Sequence, residues 1–194
     1  MPKAINMEQL LEVINKIGFV SEELKLFLGQ HLKPANFPKK HQLLTAGQVS
    51  NRMYFVASGV LRGYYLKDDK EVTTWIMPEN EFVVSILSFY TRQPSYEYIE
   101  LLEESTLWSL SYEKLQQAYV LFPEFNLIGR VLTERYYVLS EYRSYYLRMH
   151  SAEERLQLLL NDFPTILGRV KHKHIASLLS ITPETLSRLL AKKR

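Results

Sequence analysis

Between Leu32 and Ser111 the chain runs as a series of short segments, LLTAGQ, MYFVASG, VLRGYYL, VTTWIM, EYIELL and TLWSLS, rich in Val, Ile, Thr, Tyr and Trp. Gly, Asp, Asn or Pro separates them, as in short strands joined by turns. No long helical pattern lies between them, so parallel crossovers are ruled out and the expected form is a barrel or double-sheet roll. Gly47, Gly59 and Gly63 are expected at its turns or bulges. One stretch keeps another period. In PENEFVVSILSFYTRQPSYEY, apolar positions 82, 83, 86, 87 and 89 predict a short helix between strands, closed by a turn at Gln93-Pro94.

Helical patterns flank this β region. Leu10, Leu11, Val13, Ile14 and Ile17 predict a first short helix, and Ser21 caps a second over SEELKLFLGQ. From Pro123 to about His150 there is no internal proline, which predicts one helix of about 42 Å at 1.5 Å per residue. Phe125, Ile128, Leu132, Leu139, Tyr142, Tyr146 and Met149 recur on three- and four-residue steps, broken only by Arg135. That is a heptad seam, and a helix this long overhangs a small β domain, so the eight positions are expected to pair with a second copy of the chain. Five of the 13 tyrosines crowd positions 136–146, which suits an interface that is part apolar and part wet. Ser151 and Glu154 then form a capping box, and Pro164 stops the helix they open.

The last segment, VKHKHIASLLSITPETLSRLLAKKR, predicts two short helices around a turn at Ser180-Ile181. Thr182 is an N-cap and Pro183 suits the first helical position. The exposed face of the second helix then carries Glu184, Ser187 and Arg188, residue types that accept from a cytosine amine, donate to phosphate or base, and bridge guanine O6 and N7. Positions 169–194 hold seven Lys/Arg against one acid, a formal +6, while the rest of the chain is net −3. A basic terminal module on a mildly acidic body is the footprint of an end that approaches phosphates, with Lys171, Lys173, Lys192, Lys193 and Arg194 supplying charge.

The fold class expected is therefore α+β, in three parts: an N-terminal antiparallel β-roll over 1–122, a long dimerisation helix over 123–150, and a small all-α helix-turn-helix domain over 151–194. No apolar run approaches the roughly 18 residues that span a bilayer and no signal-peptide core opens the chain, so a cytoplasmic protein is expected. The chain has no cysteine, which excludes disulfides, thiolate metal sites, cysteine-ligated clusters and a cysteine nucleophile. His31, His41 and His150 are scattered, and the His172-x-His174 pair is expected to be solvated or phosphate-facing, not a metal site. No Gly-rich phosphate loop, nucleophile elbow or paired-carboxylate motif is present. An enzyme is not expected, nor a cofactor or metal.

In this order the roll, the long helix and the terminal pair resemble the Crp/Fnr family of bacterial transcription regulators over nearly the whole chain. IASLLSITPETLSRLL is close to the family pattern I-A-x-x-L-G-x-T-x-E-T-x-S-R, and MYFVASGVLRGYYL is similar to its roll. The resemblance implies that Glu184 and Arg188 read base edges, and that Thr182 and Ser187 contact phosphate. Pro183 departs from the pattern where some members place a guanine-reading arginine, which implies a different half-site. Ser180 stands where the turn usually has glycine. The chain as given ends at Lys192-Lys193-Arg194, where members continue into a β-hairpin wing.

In cyclic-AMP-binding members the inter-strand helix holds a glutamate for the ribose and, about ten residues on, an Arg-Ser or Arg-Thr pair for the phosphate. The matching positions here are Ser85, Ser95 and Tyr96, with Arg92 three residues early. A buried phosphate without such donors is poorly compensated, so cyclic AMP in the usual mode is not expected. A pocket for another small-molecule effector would lie between the roll, the helix near Val83, Ser85 and Ile86, the turn at Ser95 and Tyr96, and the long helix at Tyr136 and Tyr137. Double-stranded DNA and a second copy are the partners expected, RNA polymerase a further candidate, and a membrane is not. The alternative is a protein-interaction or ligand-sensing β-roll that no longer reads DNA.

Overall fold

The computed structural model describes residues 7–192. Two short helices open it, α1 (Glu8–Asn15) and α2 (Glu22–His31). Ser21 caps the second, its hydroxyl accepting from the Leu24 amide at 3.2 Å. Eight strands follow: β1 (Lys33–Phe37), β2 (Gln42–Leu44), β3 (Arg52–Ser58), β4 (Leu61–Lys67), β5 (Lys70–Met77), β6 (Phe82–Val83), β7 (Tyr98–Leu101) and β8 (Ser105–Ser111). A short helix α3 (Ile86–Thr91) sits between β6 and β7. All pairings are antiparallel, in two four-stranded sheets ordered β1-β8-β3-β6 and β2-β7-β4-β5. This is the double-sheet roll that the short, crossover-free segments require.

Local chemistry sets its shape. Asp68 and Asp69 both take positive φ, 50° and 59°, the conformation of a two-residue type I′ hairpin, and so lock the register of β4 on β5. A bulge follows Gly63, where a Cβ would come within 2.1 Å of the Trp75 ring. Gly59, at φ 107°, joins β3 to β4 with Ser105 against its open face. The expected inter-strand helix is shorter than its apolar pattern. Phe82 and Val83 pair with β3 as β6, and the helix ends at Arg92 in the left-handed region, one residue before the predicted turn.

After β8 come α4 (Tyr112–Leu121), α5 (Pro123–Met149), α6 (Ala152–Asp162), α7 (Ile166–Arg169), α8 (His172–Leu178) and α9 (Pro183–Ala191). Pro123 opens α5 without losing a helical hydrogen bond. The Ser151–Glu154 capping box opens α6, with the Ser151 amide donating to Glu154 Oε2 at 2.7 Å and the Glu154 amide donating to Ser151 Oγ at 3.3 Å.

The buried residues form three clusters. Leu44, Val56, Leu61, Ile99, Leu101 and Leu107 fill the roll. Leu10, Ile14, Leu24, Leu28, Trp108, Leu115, Phe125 and Ile128 join its outer face to α1, α2, α4 and the start of α5. Val60, Ile76 and Leu102 of the roll share the third with Leu156, Ile166, Ile175, Leu179 and Leu186 of the terminal helices. The terminal module thus has no core of its own alone. It is seated on the β4–β5 hairpin.

Candidate functional site

The second helix of the terminal pair starts where its side chains dictate. Thr182 Oγ1 accepts from the Thr185 amide at 3.2 Å, and Pro183 follows in the first turn. Leu186 is fully buried and holds α9 to α8, leaving Thr182, Pro183, Glu184, Ser187, Arg188 and Lys192 exposed. Arg188 Nη2 donates to Thr185 Oγ1 at 3.2 Å, which keeps the guanidinium along the helix beside Glu184. The backbone amide at the helix N-terminus, then the capping hydroxyl of Thr182, hold Glu184 below the usual carboxylate range, so it is an acceptor at neutral pH. Ser180 makes the turn at φ 53°, the left-handed conformation that glycine would take freely. Lys193 and Arg194 lie outside the described residues.

One of the basic residues expected to supply charge, Lys173, lies beside the roll, and Arg169, at the start of the same basic stretch, is held to it. Lys173 Nζ lies 3.9 Å from Glu71. Arg169 grips both oxygens of Glu79, at 2.6 and 3.0 Å, and also Glu103. Lys171 is exposed at the start of α8. The histidine pair is split. His172 is exposed, but His174 is buried, because α8 lays that face on β5.

What His174 meets is Arg62, a residue on β4 only 2% exposed. Arg62 Nε donates to Glu100 at 2.7 Å and Nη2 to Glu71 at 2.8 Å, while Nη1 lies 2.8 Å from His174 Nδ1. A guanidinium only donates, so Nδ1 must be the acceptor and the imidazole is neutral with its proton on Nε2. Burial, then the charges of Arg62 and Lys173, push His174 down to about 4. Burial alone would raise Glu71, but the hydrogen bond and charge of Arg62, aided by Lys173, bring it below the usual range.

A folded-state pKa below the ordinary value of 6.5 means that the unfolded chain takes up the proton first. Stability from this contact is therefore present above pH 6.5 and drains away as pH falls towards 4. The expected loss between about pH 7 and about pH 5 is about 2 kcal/mol. Urea titrations at both pH values should show that loss in the native chain and little of it in His174→Gln. Glu71 and Glu79 remain ionised in this window, and Glu97, which burial raises, works in the opposite direction.

A cavity of about 720 Å³ lies between the roll, the N-terminal helices and α5. Val83, Ser85, Ile86, Tyr136 and Tyr137 line it, as the sequence predicts. Ser95 and Tyr96 do not. Ser95 is buried behind Ser85, their hydroxyls 3.1 Å apart, and Tyr96 is 75% exposed. Exposure alternates from Ser95 to Leu101, so Ser95 and Glu97 face inward and Tyr96 outward. Glu97 is the group that the family pattern conceals. It lines the cavity, accepts from Trp75 Nε1 at 2.6 Å, and is raised by burial. Arg143, on α5, faces the same space. Arg92 is spent elsewhere, donating to the Ser50 and Phe89 carbonyls and to Asn51. At Ser85 and Ser95, the positions matched to the family's ribose and phosphate contacts, a cyclic phosphate would thus find no arginine, only two hydroxyls already bonded to each other, while the guanidinium in the lining, Arg143, comes from α5. The residues do not fit that ligand in its usual mode.

The heptad seam divides. Phe125 and Ile128 are 7% and 1% exposed against the chain's own helical layer, and Leu132 packs there too. Arg135 pairs with Glu81 at 2.6 Å, and Tyr136 Oη donates to the same carboxylate at 2.7 Å. Phe125 and Ile128 are thus covered within the protomer, while Arg135 stays half exposed. The stripe could not tell one apolar partner from another. Leu139, Tyr142 and Met149 are exposed, and Tyr142 stacks on Tyr146 with centroids 5.7 Å apart.

Among the described residues no group of three or more His, Asp or Glu could hold a metal ion, and no helix is long and apolar enough to cross a membrane. Residues 34–120 match the family model of the cyclic nucleotide-binding domain. No curated protein matches the chain. FixK2 from Bradyrhizobium japonicum superposes with a TM-score of 0.71 at 16% identity, covering 83% of each chain. The c-di-GMP responsive regulator CLP from Xanthomonas campestris gives 0.67 at 20% identity, covering 89% of this chain and 91% of that one. A Crp/Fnr-family protein from Eubacterium rectale gives 0.69 at 17%, covering 89% and 83%. Residues 34–120 are therefore similar to the cyclic nucleotide-binding domain, and the chain has the fold of the Crp/Fnr transcription regulators.

Proposed function

We propose that the chain is a homodimeric, sequence-specific DNA-binding transcription regulator of the Crp/Fnr type, answering to an effector other than cyclic AMP in its usual mode. The observation that carries this is the face of α9. Its apolar side is buried, and Glu184, Ser187 and Arg188 stand exposed in line behind a Thr182 cap. Docking on the β4–β5 hairpin uses α8 and leaves that face open. In a dimer two such helices would enter successive major grooves about 34 Å apart. The exposed, tyrosine-rich end of α5 supports pairing of two copies through Leu139, Tyr142, Tyr146 and Met149. RNA polymerase remains a candidate partner of the regulator on DNA.

Duplex binding as a function of salt tests this reading. Lys171, Arg188 and Lys192 are exposed without a direct ion pair to a described residue, three per protomer. If all six in a dimer meet phosphates, log K should fall against log salt with a slope of about −5. A duplex affinity that is absent or insensitive to salt would favour the protein-interaction alternative.

A further inference from the structure

We propose that the cavity between the roll and α5 receives an amphipathic monocarboxylic acid, its apolar body among the side chains of the helical layer and its carboxylate on Arg143. This rests on the reading of that cavity as the effector site and names the chemistry of what enters it.

At about 720 Å³ the space is the size of a small-molecule site. Leu10, Ile14, Leu28, Ile128 and Leu132 of the helical layer line it, as do Trp75, Glu97, Ser140 and Arg143. The polar groups are unequally satisfied. Glu97 already holds the Trp75 indole N–H, with the Ser85 hydroxyl acting on the same carboxyl. Arg143 makes no hydrogen bond or direct ion pair to any described residue and senses Glu97 only through its field. The second indole in the lining, Trp108, has a buried Nε1 with no acceptor. The unmet capacity of the wall is therefore donor capacity, and a guanidinium alone brings five N–H groups.

The ligand must accept. A cationic head group would find the one carboxylate taken and Arg143 opposing it. A phosphate monoester would set up to about two negative charges against one guanidinium beside Glu97. A carboxylate matches Arg143 in charge and in its forked geometry. An alcohol of equal length fills the same apolar space but leaves the charge unmatched.

Both tryptophans of the chain, Trp75 and Trp108, line the cavity, so intrinsic fluorescence reports its filling directly. The full-length chain is titrated with dodecanoate, dodecan-1-ol, dodecyltrimethylammonium and dodecyl phosphate below their micellar ranges. Dodecanoate should bind at one per chain and at least about tenfold tighter than the alcohol, since charge-assisted hydrogen bonds are about twice as strong as neutral ones. Arg143→Gln should bind acid and alcohol alike, and Arg143→Lys should keep part of the preference. Arg143 holds no other residue in place, so the alcohol is expected to bind every variant and certifies an intact cavity. Equal affinities in the native chain, a preference untouched by Arg143→Gln, a preference for the cation or phosphate, many ligands per chain, or no binding at all would each overturn the proposal. Duplex binding by the same preparations separates this from the regulator reading. Carboxylate selectivity without duplex binding defeats the regulator alone, and duplex binding without selectivity defeats the ligand alone.

Discussion

Arg62→Ala should lower the stability of the chain by about 3 to 5 kcal/mol, the usual cost of removing one member of a buried ion network. The side chain is almost wholly enclosed, bonded to Glu71, Glu100, Thr73 and His174, and lies 4.1 Å over the Tyr64 ring. Removal leaves Glu100, 14% exposed, with no cation within reach, and takes from His174 the donor that holds it neutral and seated. The loss falls on both sides of one contact, because β4 belongs to the roll and α8 to the terminal module. Thermal unfolding should therefore move down by about 6 to 20 °C, taking roughly 2 to 4 °C per kcal/mol for a chain of this size. Limited proteolysis should begin near α7, where the module detaches. Arg62→Lys should recover only part of the loss, since an ammonium cannot serve Glu71, Glu100 and His174 together. A fall below about 1 kcal/mol for Arg62→Ala would mean that the network is replaceable by solvent.

Arg188→Ala is expected to leave folding intact and to weaken reading of DNA. The residue is exposed, and its hydrogen bond within the protein goes to Thr185 on the preceding turn of the same helix. Its loss should cost about 1 to 3 kcal/mol at one base pair per half-site, and so about 2 to 6 kcal/mol for a symmetric dimer site. A preferred duplex would then bind about 30-fold to 10⁴-fold more weakly at fixed salt, while a scrambled duplex changes little. Lys192→Ala, by contrast, should weaken both duplexes alike and flatten the salt slope by about 1 per protomer. Equal losses on preferred and scrambled duplexes in Arg188→Ala would reduce Arg188 to a phosphate contact.

Much of the fold is local and could be read in advance. The Ser21 and Thr182 caps, the Ser151–Glu154 box, Pro123 at the head of α5 and the positive-φ glycines at positions 47 and 59 each state a backbone conformation within a few residues. What was not legible depends on which surface covers which. The stripe from Phe125 to Met149 marks one apolar side of α5, but its spacing does not say that its start packs into the layer of α1, α2 and α4 while Leu139, Tyr142 and Met149 are exposed. Arg62 interrupts a strand run as any edge residue might. Its role emerges only when β5, β7 and α8 converge on it from up to 112 positions away. His174 sits in a basic stretch that suggests phosphate, yet helical geometry turns it inward while His172 turns out.

The cavity shows the same limit. Matching the family's positions selects Ser85, Ser95 and Tyr96, and those positions explain why a cyclic phosphate is unsupported. They do not select Glu97, one residue beyond, which strand alternation puts inside with Ser95. Nor do they select Arg143, separated from it by most of α4 and α5. The charged pair that gives the cavity its chemistry is thus a product of the tertiary fold.

Selection from random duplexes on the purified full-length chain tests the central claim most directly. A regulator of the proposed kind recovers a palindrome whose half-sites lie one helical turn apart, about 34 Å, and loses a defined base pair in each when Arg188→Ala is selected in parallel. Recovery of no enriched sequence, or of a sequence without two-fold symmetry that Arg188→Ala recovers equally well, would contradict it.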